Sequence, residues 1–248
     1  MFKNNYFWSD YFEIQARQRL RRPSRRLKSA KLAALTLATI VTGLLLFLLF
    51  LRLIPLPTSA FMLWHKLKGN PVHYHWMPMG KISPELAIAA VASEDQRFPE
   101  HLGIDFKAIS DAIEENKRRS QPRGASTISQ QVTKNLFLWS GKSMVRKGIE
   151  AALTVVIELF WSKRRILEVY LNISQFGPDT FGAEAASRQI FGIPPSQLDG
   201  YQSALLVSVL PNPKRYRALP PTPYISQRAA EIQKQVRLLG GRAYLSEL

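Results

Sequence analysis

Residues 83–95 read SPELAIAAVASED. Ser83-Pro84-Glu85 is a helix start, with proline at the first helical position and an acid in the first turn. The LAIAAVAS that follows is apolar on every side, so the helix belongs in a core, and it delivers Glu94 and Asp95 near its end. Two adjacent carboxylates beside apolar surface are costly unless they are paired or used. A glutamate held there becomes a proton acceptor suited to neutral pH, whereas a helix-end acid paired with Arg97 would be purely structural.

Outward from this helix the pattern stays helical. Asp105 caps a second helix through about Glu115, and Lys117 to Arg123 form a basic loop containing Pro122. Ser126 is expected to open a third helix, TISQQVTKNLFLW, and Ser143 to Trp161 a long apolar fourth. Ser162 caps KRRILEVYLN, and Phe176 to Gly182 make a turn. Helices over about Phe181–Ile190, Pro195–Leu210 and Ile225–Leu239 complete the pattern, with five prolines between Pro211 and Pro223 breaking the last two apart. Val72–Trp76 alone suits a short strand. The fold class is therefore mainly α.

Upstream, Leu32 to Leu51 read LAALTLATIVTGLLLFLLFL, without charge or proline. Twenty helical residues span roughly 30 Å of hydrocarbon. Nine Lys/Arg precede this run within residues 1–31, against Asp10 and Glu13, and hold the N-terminus in the cytoplasm. A cleaved signal peptide is the competing reading, with Thr58-Ser59-Ala60 a weak cleavage site. The expected organisation is a basic tail over 1–31, a transmembrane helix over 32–51, a linker and membrane-proximal segment over 52–80, and a domain over 81–248. Phe61-Met62-Leu63-Trp64 with Lys66 and Lys68 suits the membrane interface equally with a short helix packed on the domain.

The chain carries a formal charge of +16 and has no cysteine, so an exported domain builds its core without disulfides. Much of the excess lies outside the tail. A basic domain beyond the cytoplasm points to phospholipid or phosphate as partner and away from nucleic acid.

Two further clusters could carry chemistry. Ser126, Gln130 and Lys134 fall at i, i+4 and i+8, with Thr127 and Gln131 alongside, presenting a stripe suited to a sugar and an anion, or simply to water. Between Asn116 and Glu150 there is no acid, but Lys117, Arg118, Arg119, Arg123, Lys134, Lys142, Arg146 and Lys147 occur. Such a run neutralises phosphates, while Arg146 and Glu150, one turn apart, could equally be a plain helix ion pair.

In order and wording these clusters resemble the peptidoglycan glycosyltransferases of family 51, in their monofunctional biosynthetic form. The resemblance rests on Glu94-Asp95-Gln96-Arg97-Phe98 with His101 and Gly103, on Gly124 to Gln131 followed by Lys134-Asn135-Leu136, and on Arg146-Lys147-Gly148-Ile149-Glu150. Lys163 to Asn172, and Ala204-Leu205-Leu206 to Leu210-Pro211-Asn212-Pro213, carry it further. It implies a lysozyme-like helical domain with a smaller membrane-proximal lobe, polymerising lipid II into β-1,4 glycan strands with inversion and release of undecaprenyl pyrophosphate. By the same resemblance Glu94 is the general base and Glu150 the second catalytic acid, which could orient cations, bind metal or assist the leaving group. Asp95, Ser126, Thr127, Gln130, Gln131, Lys134, Lys142, Arg146 and Lys147 bind substrate, and a divalent ion such as Mg²⁺ activates, with ligands unassigned. Expected partners are lipid II, the growing strand, membrane phospholipid, and proteins of cell-wall synthesis or division. The expected location is the inner membrane, with a periplasmic catalytic domain.

Gln175 stands where relatives often carry an acid, which reads as structural variation. A lytic transglycosylase shares the fold and a glutamate, but cleavage leaves no pyrophosphate for the basic run to meet. A bifunctional penicillin-binding reading would need a Ser-x-x-Lys or Lys-Thr-Gly, and neither occurs. A non-enzymatic cell-wall scaffold stays open as the alternative from another class.

Overall fold

The computed structural model describes residue 13 and residues 25–118, 124–141 and 143–248. Most of the basic tail expected over 1–31 lies outside the described residues. The chain divides into two compact units, Met1–Leu48 and Leu49–Leu248.

Helix α1 runs Arg25–Leu53. It is long and apolar enough to cross a membrane, and only 11% of its most apolar window is covered by protein. Leu35, Leu37, Ile40 and Leu46 are all exposed, the reverse of a core helix in a soluble domain. The helix starts before the apolar run, at its basic flank.

In the second unit, α2 (Ala60–Leu67) is capped by Ser59, whose Oγ accepts the Met62 N–H. It buries Met62 and His65 while exposing Leu63, Trp64 and Leu67. Strand β1 (His73–Tyr74) pairs in parallel with β2 (Thr180–Phe181), so the stretch expected as a strand forms one of two residues.

The centre is α3 (Pro84–Glu94), capped by Ser83, with Leu86 through Ala92 all buried. Against it pack α9 (Gly200–Ser208), also buried along most of its length, and α10 (Pro223–Leu238). The middle of the chain supplies α4 (Phe106–Asn116), α5 (Ile128–Phe137), α6 (Met144–Phe160) and α7 (Lys163–Ile173), with α5 packed on both α6 and α7. Helix α8 (Gly182–Phe191) follows β2. The core joins Ile88, Phe98, Ile128, Tyr170, Phe181 and Leu206 in one cluster. Mainly α is the observed class.

Helix starts agree with their caps: Asp105 for α4, Ser143 for α6 and Ser162 for α7 each accept a backbone N–H of the first turn. The start of α5 differs from expectation. Thr127, not Ser126, is its cap, because Thr127 and Gln130 form a reciprocal capping box and Ser126 falls outside the helix.

Two arginines hold the chain where it leaves α1. Arg52 Nη1 donates to the Phe160 carbonyl at 2.9 Å. Arg165 donates to the carbonyls of Leu51, at 2.9 Å, and Ile54, while pairing with Glu168 at 2.6 Å. Its guanidinium lies over Trp76, 4.9 Å from the ring centroid. The last carbonyls of a helix have no partner within it, and Arg165 supplies one.

Candidate active site

Helix α3 ends at Glu94 because Asp95 leaves helical geometry. The Glu94 side chain is 17% exposed and faces a cleft of about 400 Å³ whose walls include Asp95, Arg97, Asp105 and Gly124 to Thr127. Gln131 Nε2 donates to its Oε2 at 2.9 Å, and Ser93 Oγ donates to its Oε1 at 3.2 Å. Arg228 Nη2 lies 3.8 Å from the same Oε1. The carboxylate is thus fixed at both oxygens while one edge remains open to the cleft.

Asp95 turns the other way, into the protein. Its Oδ1 accepts from His101 Nε2 at 2.8 Å, and its Oδ2 accepts the Ile128 N–H at 2.9 Å. The tautomer follows from a second bond, in which the Gly103 N–H donates to His101 Nδ1 at 3.1 Å and leaves the proton on Nε2. An anion placed on a free N–H at the start of α5 is favourable there, and it ties the end of α3 to the start of α5. Asp95 therefore holds the two helices in register, with both oxygens engaged by protein groups.

The turn through Gly103 requires glycine. Its φ is +85°, and a Cβ there would stand 2.6 Å from Thr154 Cγ2 and 2.9 Å from Glu158 Cγ. Behind it, Glu158 accepts from Lys163 Nζ at 2.9 Å and from Ser129 Oγ, and Lys163 donates to the His101 carbonyl at 2.5 Å.

The capping box occupies two side chains expected at substrate. Gln130 Oε1 accepts the Thr127 N–H at 3.2 Å, and Thr127 Oγ1 donates to the Gly103 carbonyl at 2.5 Å. Both are buried. The stripe Ser126–Gln130–Lys134 is accordingly not one continuous face: Ser126 lies on the cleft wall before the helix, Gln130 turns back into the capping box, and Gln131 reaches Glu94 instead.

The basic cluster forms around Glu150, which is 2% exposed. Arg146 Nη1 and Lys147 Nζ each donate to one of its oxygens at 2.5 Å. Lys147 also reaches Ser126 Oγ at 3.3 Å. Burial pushes the Lys134 ammonium below the usual lysine range; the charges of Glu150 and Glu94 oppose that shift, and those of Arg146 and Lys147 add to it. Lys142, Arg119 and Arg123 lie outside the described residues. Below the site, burial and then the Glu94 charge push the Tyr170 phenol well above its ordinary value, so it stays protonated.

The structure thus joins Glu94 to Gln131, and Glu150 to Arg146 and Lys147, with Ser126 on Lys147, while Asp95, Thr127 and Gln130 spend their polar groups on the frame that joins α3 to α5. Sequence reasoning missed Ser93 and Arg228 as neighbours of Glu94. No local signal marks Arg228, which sits on a helix 134 residues further along.

Among the described residues, one group of three could offer metal ligands: Asp95, His101 and Asp105. It does not fit a resident ion. Both His101 nitrogens and both Asp95 oxygens are engaged, and Asp105 Oδ1 accepts from Arg97 at 3.1 Å and from the Ala108 N–H at 2.9 Å.

The family description "Transglycosylase" matches residues 62–237. A biosynthetic peptidoglycan transglycosylase of Pectobacterium carotovorum is 52% identical over 200 residues, covering 77% of this chain and 82% of the relative. Proteins of the same name from Pasteurella multocida and Pseudomonas fluorescens are 48% and 50% identical, covering 79% and 82% of this chain and 82% and 87% of theirs.

Proposed function

The chain belongs to the transglycosylase family, and from that membership and the site's geometry we propose that it polymerises lipid II on the outer face of the inner membrane. It is a peptidoglycan glycosyltransferase anchored by α1. The orientation, with N-terminus in the cytoplasm and catalytic unit in the periplasm, rests on the basic flank of α1.

One observation carries the reading: Gln131 of α5 is bonded to Glu94, and one turn further along the same helix Lys134 lies within the field of Glu150, which α6 holds between Arg146 and Lys147. A base and a cation cluster are then spaced for the two ends of one glycosyl transfer. The acceptor's 4-hydroxyl oxygen attacks the donor's anomeric carbon from the face opposite the pyrophosphate. Glu94 takes the hydroxyl proton as the new C–O bond forms, because a neutral hydroxyl is a weak nucleophile. The bond to pyrophosphate breaks with its electron pair, and the charge gathers on oxygens that Lys134, Arg146 and Lys147 meet. Glu150 holds the last two cations in place. A lytic enzyme needs the first half of this arrangement and has no use for the second.

A divalent ion is part of the proposal only as a companion of the pyrophosphate. Mg²⁺ keeps most of its waters and joins phosphates with few protein ligands, which agrees with the committed donors of the Asp95–His101–Asp105 group. No step here passes through it.

The test uses the full chain in detergent with labelled lipid II and Mg²⁺. Polymer that muramidase digests is expected, and none under varied detergent and metal overturns the proposal. Glu94→Gln is expected to lower the rate by at least ~10²-fold with an unchanged melting temperature, within the range for loss of a general base. A near-normal rate removes Glu94 from that role.

A further inference from the structure

Glu94 is held by one residue that no motif contains. Arg228 Nη2 donates to Ser93 Oγ at 3.2 Å, and Ser93 Oγ in turn donates to Glu94 Oε1 at 3.2 Å. A serine hydroxyl has one proton and a free rotor, and near the end of a helix it often turns back to the carbonyl four residues earlier. A guanidinium donating to the Ser93 oxygen takes its lone pair and drives the proton away, towards Glu94. A donor chain of this kind polarises in one direction.

Arg228 is an expensive way to fill this space. Its Nε is buried with no hydrogen-bond partner, and its side chain is 27% exposed. A methionine or leucine would pack between α10 and α3 without a desolvated donor. The C-terminal segment grips α3 and its exit at three more points. Gln235 meets Gln96 at 3.2 Å, the Tyr244 hydroxyl donates to the Gln96 carbonyl at 2.6 Å, and Arg242 meets Glu85 at 2.5 Å. Gln235 thus registers α10 on the exit of α3, and the segment that follows α10 holds both ends of α3, which is what a long-range aim at one carboxylate needs.

We propose that Arg228 is a positioning residue for Glu94: by holding Ser93 Oγ it aims the hydroxyl proton at Oε1 and fixes the edge of the carboxylate offered to the acceptor hydroxyl. Gln131 fixes the opposite oxygen, so the two restraints set the carboxylate plane. This inference rests on Glu94 being the base.

The experiment compares the full-length chain with Arg228→Gln, Arg228→Lys, Ser93→Ala and the double variant Ser93→Ala/Arg228→Gln, measuring kcat and KM for lipid II and the melting temperature. Arg228→Gln is expected to lower kcat by roughly 10- to 100-fold with KM within about twofold, as for a misaimed catalytic group. Arg228→Lys, which can still donate to Ser93, recovers part of the loss. Ser93→Ala matches Arg228→Gln, and the double variant is no worse than either, as for members of one chain. A raised KM at unchanged kcat makes Arg228 a substrate contact and overturns the inference. So do additive losses in the double variant, or a lysine variant as slow as the glutamine one with both equally destabilised. If the unaltered chain polymerises and Arg228→Gln equals it, only this inference fails. Absence of polymer from the unaltered chain overturns the functional proposal and this inference with it.

Discussion

Glu150→Gln separates two roles of the second glutamate, orienting cations and binding a metal. The carboxylate is buried, and both of its oxygens are taken by Arg146 and Lys147 at 2.5 Å. Glutamine keeps the shape and one acceptor oxygen but removes the charge. Breaking a buried pair by deleting one partner costs about 3–5 kcal/mol, because a charge is left uncompensated. Lys147 is 43% exposed and can turn to water, so its share shrinks to that of a surface pair, about 0–1 kcal/mol. Arg146 is only 11% exposed and carries nearly all of the cost, which keeps the total at about 3–5 kcal/mol. For a unit of this size each kcal/mol moves the melting temperature by about 2–4 °C, so a fall of about 6–20 °C is expected.

The catalytic effect follows from the same geometry. Without their shared anion, Arg146 and Lys147 repel each other and no longer point at one place. Loss of an oriented stabiliser of transition-state charge costs about 10²-fold in kcat. Lys134 loses the attraction of Glu150 and keeps the repulsion of the two cations, so its proton leaves at still lower pH and the alkaline fall in rate moves down. The assay is polymerisation of lipid II across pH at several Mg²⁺ concentrations, beside thermal unfolding. If Glu150 only orients cations, the Mg²⁺ concentration for half-maximal rate stays the same. A rise of tenfold or more would make it a metal ligand and refute the reasoning, as would a rate within threefold of normal and an unmoved melting temperature.

Two other perturbations follow from the frame and the cation site. Because burial lowers the Lys134 proton affinity, its ammonium is lost at lower pH than an ordinary lysine, and activity should fall on the alkaline side accordingly. Lys134→Arg keeps the charge and should carry activity to higher pH; superimposable alkaline limbs would exclude Lys134 as their cause. Gly103→Ala places a Cβ against Thr154 and Glu158 at positive φ and should cost about 2–4 kcal/mol in urea unfolding, with cost below 1 kcal/mol showing that the turn relaxes.

How far the sequence could be read depended on the range of the interaction. Helix α7 was legible nearly to the residue, since Ser162 caps it and Lys163 to Asn172 alternate at helical spacing. The buried character of α3 was equally plain from Leu86 to Ala92. At α5 the correct signal was present but competed with another: Thr127-x-x-Gln130 is a capping box, yet Ser126, Gln130 and Lys134 also fit a helical stripe. The choice is settled by Gln130 turning back to the Thr127 N–H, a side-chain orientation that spacing does not encode. The pairing of His73–Tyr74 with Thr180–Phe181 joins segments far apart and too short to show alternation, so no period announces it.

The site divides along the same line. Gln131, Lys134, Arg146, Lys147 and Glu150 lie on two helices joined by a short link, α5 and α6, and their closeness could be anticipated from order and spacing, while Glu94 closes a third, α3. What aims Glu94 could not. Arg228 reaches it from a helix whose exposed residues look like a solvated face, and its own neighbours in the chain are unremarkable. The distinction has a physical origin: residue type determines which group can accept a proton, while its direction depends on whatever packs against it, here α10 against α3. Ser93 shows this most sharply. In the sequence it is a small residue closing an apolar helix, and with Arg228 on its oxygen it becomes the donor that sets one edge of the base. The chemistry of such a site can therefore be read locally, but its alignment belongs to the tertiary fold. Variants outside the motifs that alter kcat without touching KM should accordingly concentrate on the α3–α10 contact.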